Sequence, residues 1–452
     1  MVIIMKIAFY TLGCKTNQFE TQALETLFEQ RGHTIVPFDE FAHVYIVNTC
    51  TVTALSDKKS RNAARRCKKI NPQATLIVCG CYSQMEPEQA REMCGADIVV
   101  GTGCKGQIVE LAEQAQSQAS FSGGSAVQEA REFEVLPAGG LRGRTRALLK
   151  VQDGCSHGCA YCIVPLTRGP ARSRDPKECL AELRRLLEAG YREIMISGIN
   201  LRQYAMRDAG CRDFWELLRY LDRELAPEWG SGARPDPARL RISSVEPAQL
   251  TERGIGVLAE TRMVCPHLHL SLQSGSADVL KAMRRGHYTP EGLLEAVGAV
   301  AKLWPRFGLG ADILMGFPGE TEANVLETLE VVRGLPLTYA HVFPYSVRPG
   351  TVAAGLPGQI GKAERQERAA RVRAIIEAKR EAFWKASLGG DLLVALDCND
   401  DAGTSEGGQH GVDECYAPCR LRTPLQGSGH TLIPARPVAV TRKGLLVEPI
   451  LP

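Results

Sequence analysis

Three short β-rich runs near the start of the chain end in the same way: KIAFYTLGC at Cys14, VYIVNTC at Cys50 and TLIVCGC at Cys81. Helix-period segments separate them, so they read as parallel strands joined by crossover helices. In an open parallel sheet the carboxyl ends of the strands line one crevice, which brings thiols remote in sequence to one edge. Cysteine is also among the most buried residue types, and any one of the three alone reads as packing. Their recurrence after three strands points instead to a ligand set. Cys79 lies two residues before Cys81, and strand alternation gives both the same face. The Gly-Cys pair at the strand end, repeating Gly13-Cys14, favours Cys81; the pattern alone leaves Cys79 open.

A second thiol set follows the strand-like ALLKVQ. The run GCSHGCAYCIVPLTRG places Cys155, Cys159 and Cys162 at CxxxCxxC spacing on one loop. Three thiolates so close bind three irons of a [4Fe-4S] cube and leave the fourth iron without a protein ligand. S-adenosylmethionine can chelate that open iron, and an electron from the cluster then cleaves its sulfonium to a carbon radical. A closed zinc site would need a fourth ligand nearby, and His157 inside the loop is the one cheap candidate. The spacing resembles that of the radical S-adenosylmethionine superfamily.

Sixteen cysteines are too many for chance and, in a reducing compartment, cannot be a disulfide framework. Cys398, Cys415 and Cys419 form a further, weaker grouping. No apolar run approaches the roughly 18–20 residues of a membrane span, and MVIIMK lacks the basic start of a signal peptide, so a cytoplasmic protein is expected. At 452 residues several domains are expected.

The expected fold class is α/β. An open parallel sheet over 1–117 precedes a Ser/Gly-rich linker over 118–143 with a possible strand at 133–136. Six strand candidates between 146 and 348 then suggest a partial (β/α)6 barrel within 144–371, against the eight units of a full barrel. A charged helix and a small β-barrel fill 372–452. Barrel chemistry belongs at the carboxyl ends of strands. ISGIN, RISSVEP and LHLSLQSGS thus nominate Ser197, Gly198, Asn200, Ser243, Glu246 and Gln273 as cofactor-binding, while no side chain is assigned as a protein acid or base.

Two three-cysteine sets in this order, with a small β domain behind them, resemble the methylthiotransferase family of radical enzymes over nearly the whole chain. TLGCKTNQFET, PHLHLSLQSGSADVLKAMRRGHY and HVFPYSVRPGTVA look most like the branch acting on N6-threonylcarbamoyladenosine at tRNA position 37, with Thr16 where that motif usually has Val. The resemblance implies an auxiliary [4Fe-4S] cluster on Cys14, Cys50 and Cys81, a radical cluster on Cys155, Cys159 and Cys162, S-adenosylmethionine, and a C-terminal RNA-binding TRAM domain. It also implies a tRNA substrate and an electron donor of flavodoxin or ferredoxin type, and a monomer is expected. Competing readings are isopentenyladenosine in tRNA or a ribosomal-protein aspartate as substrate, or a non-catalytic iron-sulfur RNA-binding sensor. From Leu388 onward there are five Lys and Arg against eight Asp and Glu, and counterion release does not favour phosphate binding by an acidic surface. RNA contact is therefore expected from two basic helices, one with Arg61, Arg65, Arg66, Lys68 and Lys69 and one with Arg365, Arg368, Arg371, Arg373, Lys379 and Arg380.

Overall fold

The computed structural model describes residues 4–117, 124–127, 130–138, 146–397, 409–423, 425 and 432–450. Contacts divide the chain into two compact units. One holds the chain up to Gly139 together with Lys150–Arg174 and Ser346–Ala354; the other holds Gly140–Leu149, Asp175–Tyr345 and Gly355 to the end.

The first unit is built on six parallel strands: β1 (Lys6–Thr11), β2 (Thr34–Val36), β3 (Val44–Thr49), β4 (Thr75–Gly80), β5 (Ile98–Val100) and β6 (Gly124–Ala126). Their order is β2-β1-β3-β4-β5-β6. Alternation along each strand divides its side chains between two apolar layers. Ala8, Tyr45, Val47, Leu76 and Val78 meet Ala63, Ala64 and Cys67 on one side. Ile7, Val44, Ile46, Ile77 and Cys79 meet Leu24, Phe28 and Ile108 on the other. Strand β6 falls inside the expected linker, where Gly, Ser and Ala carry no strand signal; it is held by pairing with β5. Residues 133–136 form no strand, although Leu136 is buried.

The boundary between the units falls within β7 (Arg146–Asp153): its residues from Lys150 on belong to this unit, where they pair antiparallel with β8 (Arg172–Ser173), Gln152 opposite Ser173 and Asp153 opposite Arg172. The CxxxCxxC loop connects them.

In the second unit β9 (Glu193–Gly198), β10 (Arg239–Ile242), β11 (Ser244–Val245), β12 (His267–Gln273), β13 (Gly308–Met315) and β14 (Tyr339–Pro344) follow one another with intervening helices. Counting β7 as the first, and β10 with β11 as the third, all six expected strands exist. The third is broken at Ser243: β10 pairs with β9 and β11 pairs with β12. One continuous run of sequence therefore serves two different strand pairings.

The tail closes into a five-stranded barrel of β15 (Leu392–Leu396), β16 (His410–Val412), β17 (Pro418–Leu421), β18 (Leu432–Thr441) and β19 (Gly444–Pro449). Trp384, from the helix Lys362–Ala386, enters its core. The barrel is fastened to β10 by two arginines. Arg239 donates to the Leu393 carbonyl at 2.6 Å and Arg241 to those of Asp413 and Glu414 at 2.9 and 3.0 Å. Both also hold the buried Glu193 carboxylate. Burial alone would raise that carboxyl, but Arg241 and Arg239 hold it well below the usual carboxylate range.

Gly308, at the start of β13, tests this seam. A methyl group there would lie 1.8 Å from the Cys415 carbonyl oxygen, and backbone cannot swing aside. Gly308→Ala is expected to lower stability by on the order of 1–3 kcal/mol. Gly256→Ala, in the helix Glu252–Glu260 with nothing within 4 Å, is expected to raise it by up to about 1 kcal/mol. Thermal melts of the two variants against the parent check the opposite signs.

Candidate metal centres and cofactor site

Strands β1, β3 and β4 are neighbours, and each delivers one thiol at its carboxyl end. Cys14 caps the helix α1 (Lys15–Gln30), Cys50 follows β3 directly, and Cys81 opens the short helix α3 (Cys81–Met85). The helix between them is α2 (Ala54–Ile70). The three thiols sense one another. Burial pushes Cys50 up to about 11, with Cys81 and then Cys14 adding to the rise, and Cys81 is raised by burial with Cys14 contributing in the same direction. Gly13, at φ 102°, lets the chain pass against Cys50, since a Cβ there would lie 3.0 Å from the Cys50 sulfur. Three thiols at the ends of neighbouring strands are a donor set suited to an iron-sulfur cluster.

Cys79 and Cys81 part company at Gly80. Its φ of 100° ends the strand alternation, so Cys81 leaves the sheet for α3. Cys79 stays in the apolar layer with Ile77, Ile98 and Val100, and burial drives its thiol up to about 12.

The second thiol set lies in the same unit. Cys155 is buried, while Cys159 and Cys162 are half-buried. The loop is pinned at its base by Cys155 N–H donating to the Gly169 carbonyl at 3.0 Å and inside by Cys162 N–H donating to Cys159 at 3.1 Å. Gly154, at φ 68°, is obligatory: a Cβ would meet the Pro170 carbonyl oxygen at 2.0 Å. One short loop thus offers two accessible sulfurs and a third behind them, which fits a cube with an open iron.

A buried ion network that sequence reading missed ties the two loops together. Arg168, in the short helix Val164–Arg168 six residues past Cys162, is 1% exposed. Its Nη1 donates to Glu20 at 2.9 Å and to Asp153 at 3.0 Å, and its Nη2 donates to Asn17 Oδ1 at 2.7 Å. Asn17 in turn donates to the carbonyls of Leu12 and Thr49, the segments that carry Cys14 and Cys50. Lys105 pairs with Glu20, and Lys150 lies 3.0 Å from Asp153. With Arg172, 3.9 Å from Asp153, four cations thus face these two carboxylates. Burial opposes the charge on Arg168, but Asp153 and Glu20, and then Cys81 and Cys14, raise it well above its ordinary value. The excess positive charge lies beside the thiols, where an anionic cluster would gain from it.

The cofactor candidates at the strand ends differ in how they are held. Ser197 on β9 and Ser243 at the break between β10 and β11 are both buried, and Ser243 N–H donates to the Ile196 carbonyl at 3.0 Å. Ser243 Oγ has no hydrogen-bond partner among the described residues. Gly198 ends β9, and Asn200 caps the turn Leu201–Gln203 by accepting from Arg202 N–H. Gln273 takes φ 62°, a left-handed conformation at the end of β12 that costs a non-glycine residue on the order of 1–3 kcal/mol and marks functional sites. Glu246 is engaged by Arg285 and by His287 at 3.5 Å; burial raises its carboxyl, and those two partners bring it below the ordinary value. These residues fit a polar, partly orphaned ligand site on the strand ends.

The basic helix Lys362–Ala386 is not a free cationic face. Arg365 donates to the Tyr345 carbonyl, Arg368 pairs with Glu320, Arg371 with Glu322, Arg373 donates to Val342, Lys379 to Arg333 and Leu335, and Arg380 pairs with Glu377. The structure thereby corrects the expectation that both helices offer cations to RNA. Of the tail cysteines, Cys415 and Cys419 are buried and Cys398 lies outside the described residues.

Fold and thiol loops together define an iron-sulfur enzyme of the radical S-adenosylmethionine class. Residues 149–332 match the radical SAM superfamily model, and residues 6–101 match a model described as uncharacterized protein family UPF0004. The structure of the radical S-adenosylmethionine methyltransferase TsrM from Kitasatospora setae aligns with a TM-score of 0.54 at 16% identity, covering 78% of this chain and 77% of that one. The chain is 39% identical to the threonylcarbamoyladenosine tRNA methylthiotransferase MtaB of Bacillus subtilis over 82% of this chain and 80% of the relative. It is 33% identical to MtaB of Aquifex aeolicus over 87% and 93%. A tRNA-2-methylthio-N(6)-dimethylallyladenosine synthase of Alkaliphilus oremlandii is 34% identical over 81% and 77%. The chain belongs to the threonylcarbamoyladenosine tRNA methylthiotransferase family, MtaB.

Glu20 offers a test of the ion network. Its folded carboxyl is held at about 2 against an ordinary 4.5: burial opposes, but Arg168, Lys105 and Lys150 prevail. A depressed carboxyl stabilises the fold fully above about pH 4.5 and loses that contribution as pH falls towards about 2. Glu20→Gln leaves buried cations short of a partner and is expected to cost about 3–5 kcal/mol at pH 7. Urea midpoints should show this penalty shrinking below about pH 4.5; a penalty unchanged from pH 7 to pH 3 would contradict the assignment.

Proposed function

We propose that the protein methylthiolates N6-threonylcarbamoyladenosine at position 37 of tRNA, converting it to the 2-methylthio derivative. The observation that carries this reading is the pair of three-thiol loops in one compact unit, in a chain whose relatives are named for that activity. On this reading Cys14, Cys50 and Cys81 hold an auxiliary [4Fe-4S] cluster, and Cys155, Cys159 and Cys162 hold the radical cluster. S-adenosylmethionine and the radical cluster supply the reactivity that an unactivated aromatic C–H demands.

The protein's own residues do the remainder. Ser197, Gly198, Asn200, Ser243, Glu246 and Gln273 are assigned to binding and orienting S-adenosylmethionine, Glu246 through the Arg285 pair that fixes its position. Arg168 holds the two thiol loops in register and keeps positive charge beside the auxiliary set. Residues 1–117 serve the auxiliary site, 144–371 the radical site, and 372–452 the helix and a TRAM-like barrel.

The cationic face assigned to tRNA is α2, whose Arg65, Arg66 and Lys69 are exposed, Arg66 beside a likewise exposed Asp39, while Ala63, Ala64 and Cys67 are buried. Neutralising those three should flatten the salt dependence of tRNA binding. A tRNA substrate places the enzyme in the cytoplasm, where a monomer served by a flavodoxin- or ferredoxin-like donor fits. No helix among the described residues is long and apolar enough to cross a membrane.

The experiment is mass spectrometry of tRNA nucleosides from a deletion strain complemented with parent or variant. The parent should restore the 2-methylthio nucleoside. A Cys14→Ala, Cys50→Ala, Cys81→Ala variant should restore none, yet should still form 5′-deoxyadenosine in vitro under a strong reductant. Loss of 2-methylthio-isopentenyladenosine in the deletion strain would assign the substrate to the other tRNA branch. A purified protein that cleaves no S-adenosylmethionine would favour the sensor.

A further inference from the structure

Strands β12, β13 and β14 carry a second set of donor groups, unrelated to the thiols and wholly within the second unit. Asp312 is directly opposite His341 in register, and His269 is opposite Gly310, two residues before Asp312 on the same face. The intervening Leu268, Leu270 and Leu272 are fully buried on the other face. One donor atom from each of His269, Asp312 and His341 lies within 4.8 Å of the other two. His269 Nε2 is 3.1 Å from Asp312 Oδ1.

The orientation of His269 is fixed from behind. Its Nδ1 lies 3.0 Å from the Tyr339 hydroxyl, which lies 2.8 Å from His267 Nε2. Gly310 makes the space for this: a Cβ there would sit 2.5 Å from His269 Nδ1 and 2.2 Å from Tyr339 Cζ. A hydroxyl can donate one proton and accept another, so the chain His267–Tyr339–His269 runs in either direction. With a proton on His269 Nε2 donated to Asp312, Nδ1 accepts from Tyr339, which accepts from His267. With a cation on Nε2, Nδ1–H donates to Tyr339, which donates to His267. A cation can therefore replace that proton without breaking any bond behind the ring. An imidazole ligand whose other nitrogen is held in this way is the usual arrangement at protein metal sites.

We propose that His269, Asp312 and His341 form a binding site for one divalent first-row cation, with two imidazoles and one carboxylate as protein ligands. Such a donor set suits iron(II), manganese(II) or zinc(II) and leaves further positions open. Asp312 is 27% exposed at its side chain and His341 is exposed, so those positions face solvent. A second grouping among the described residues, Asp413, Glu414 and Cys415, is already engaged by Arg306, whose nitrogens lie 2.6, 2.7 and 3.0 Å from it.

The test is a manganese(II) titration of the full-length holoenzyme with both clusters in their diamagnetic oxidised state, following the electron paramagnetic resonance signal of free manganese. Manganese(II) prefers nitrogen and oxygen donors over thiolates, so vacant cysteines do not compete. The parent is expected to bind one equivalent that zinc(II) displaces. Asp312→Asn and His341→Gln, both at accessible positions, should weaken binding at least tenfold, and Tyr339→Phe should weaken it by about 10- to 100-fold through the lost orienting bond. A parent that takes up no manganese below millimolar concentration, or Asp312→Asn and His341→Gln variants that bind like the parent, would overturn the proposal.

Discussion

The Arg168 guanidinium, buried between Glu20 and Asp153, is the contact on which the two thiol loops of this chain depend. Glu20 belongs to the first helix after Cys14, Asp153 ends the strand before Cys155, and Arg168 ends the helix after Cys162. Desolvating such charges is costly, and a hydrophobic replacement of similar volume is often neutral or stabilising. Stability alone is therefore a weak reason for the network. Its geometry supplies a better one: each bond fixes a segment that carries a thiol, and Asn17 extends the hold to the backbone of Leu12 and Thr49. Two loops separated by more than seventy residues are positioned by one side chain.

The rest of that unit follows from parallel topology. Adjacent strands β1, β3 and β4 place their ends on one edge, and Gly13 and Gly80 provide the positive φ values that turn Cys14 and Cys81 into the crevice. The second unit uses the same rule for its polar strand ends, while Arg239 and Arg241 secure the terminal barrel.

Much of this was legible in the sequence, because strand periodicity and cysteine spacing are local signals. The thiol-bearing strand ends and the six central strands could be read from them. What could not be read depends on long-range partners. The polar first half of α1 gives no apolar stripe, yet Asn17 and Glu20 are buried where they meet charges from β7 and the Val164–Arg168 helix, and Thr21 where it meets Thr11 and Asn48. Lys150 in an apolar strand was the available hint, since a buried lysine demands an anion. The break at Ser243 is invisible in LRISSV, which reads as one strand, and β6 exists only through pairing with β5. The Lys362–Ala386 helix shows the converse: its arginines are dense enough to suggest an RNA face, but their partners lie on other elements of the same unit.

The central claim is that one ion network makes the two thiol loops a single cooperative element. Native-state hydrogen exchange tests it most directly, because segments that open together share one opening free energy. Amides of residues 15–22 and of 154–169 are predicted to exchange with matching free energies in the parent and to lose protection together in Arg168→Met. Loss of protection in one segment with the other unchanged would contradict the account.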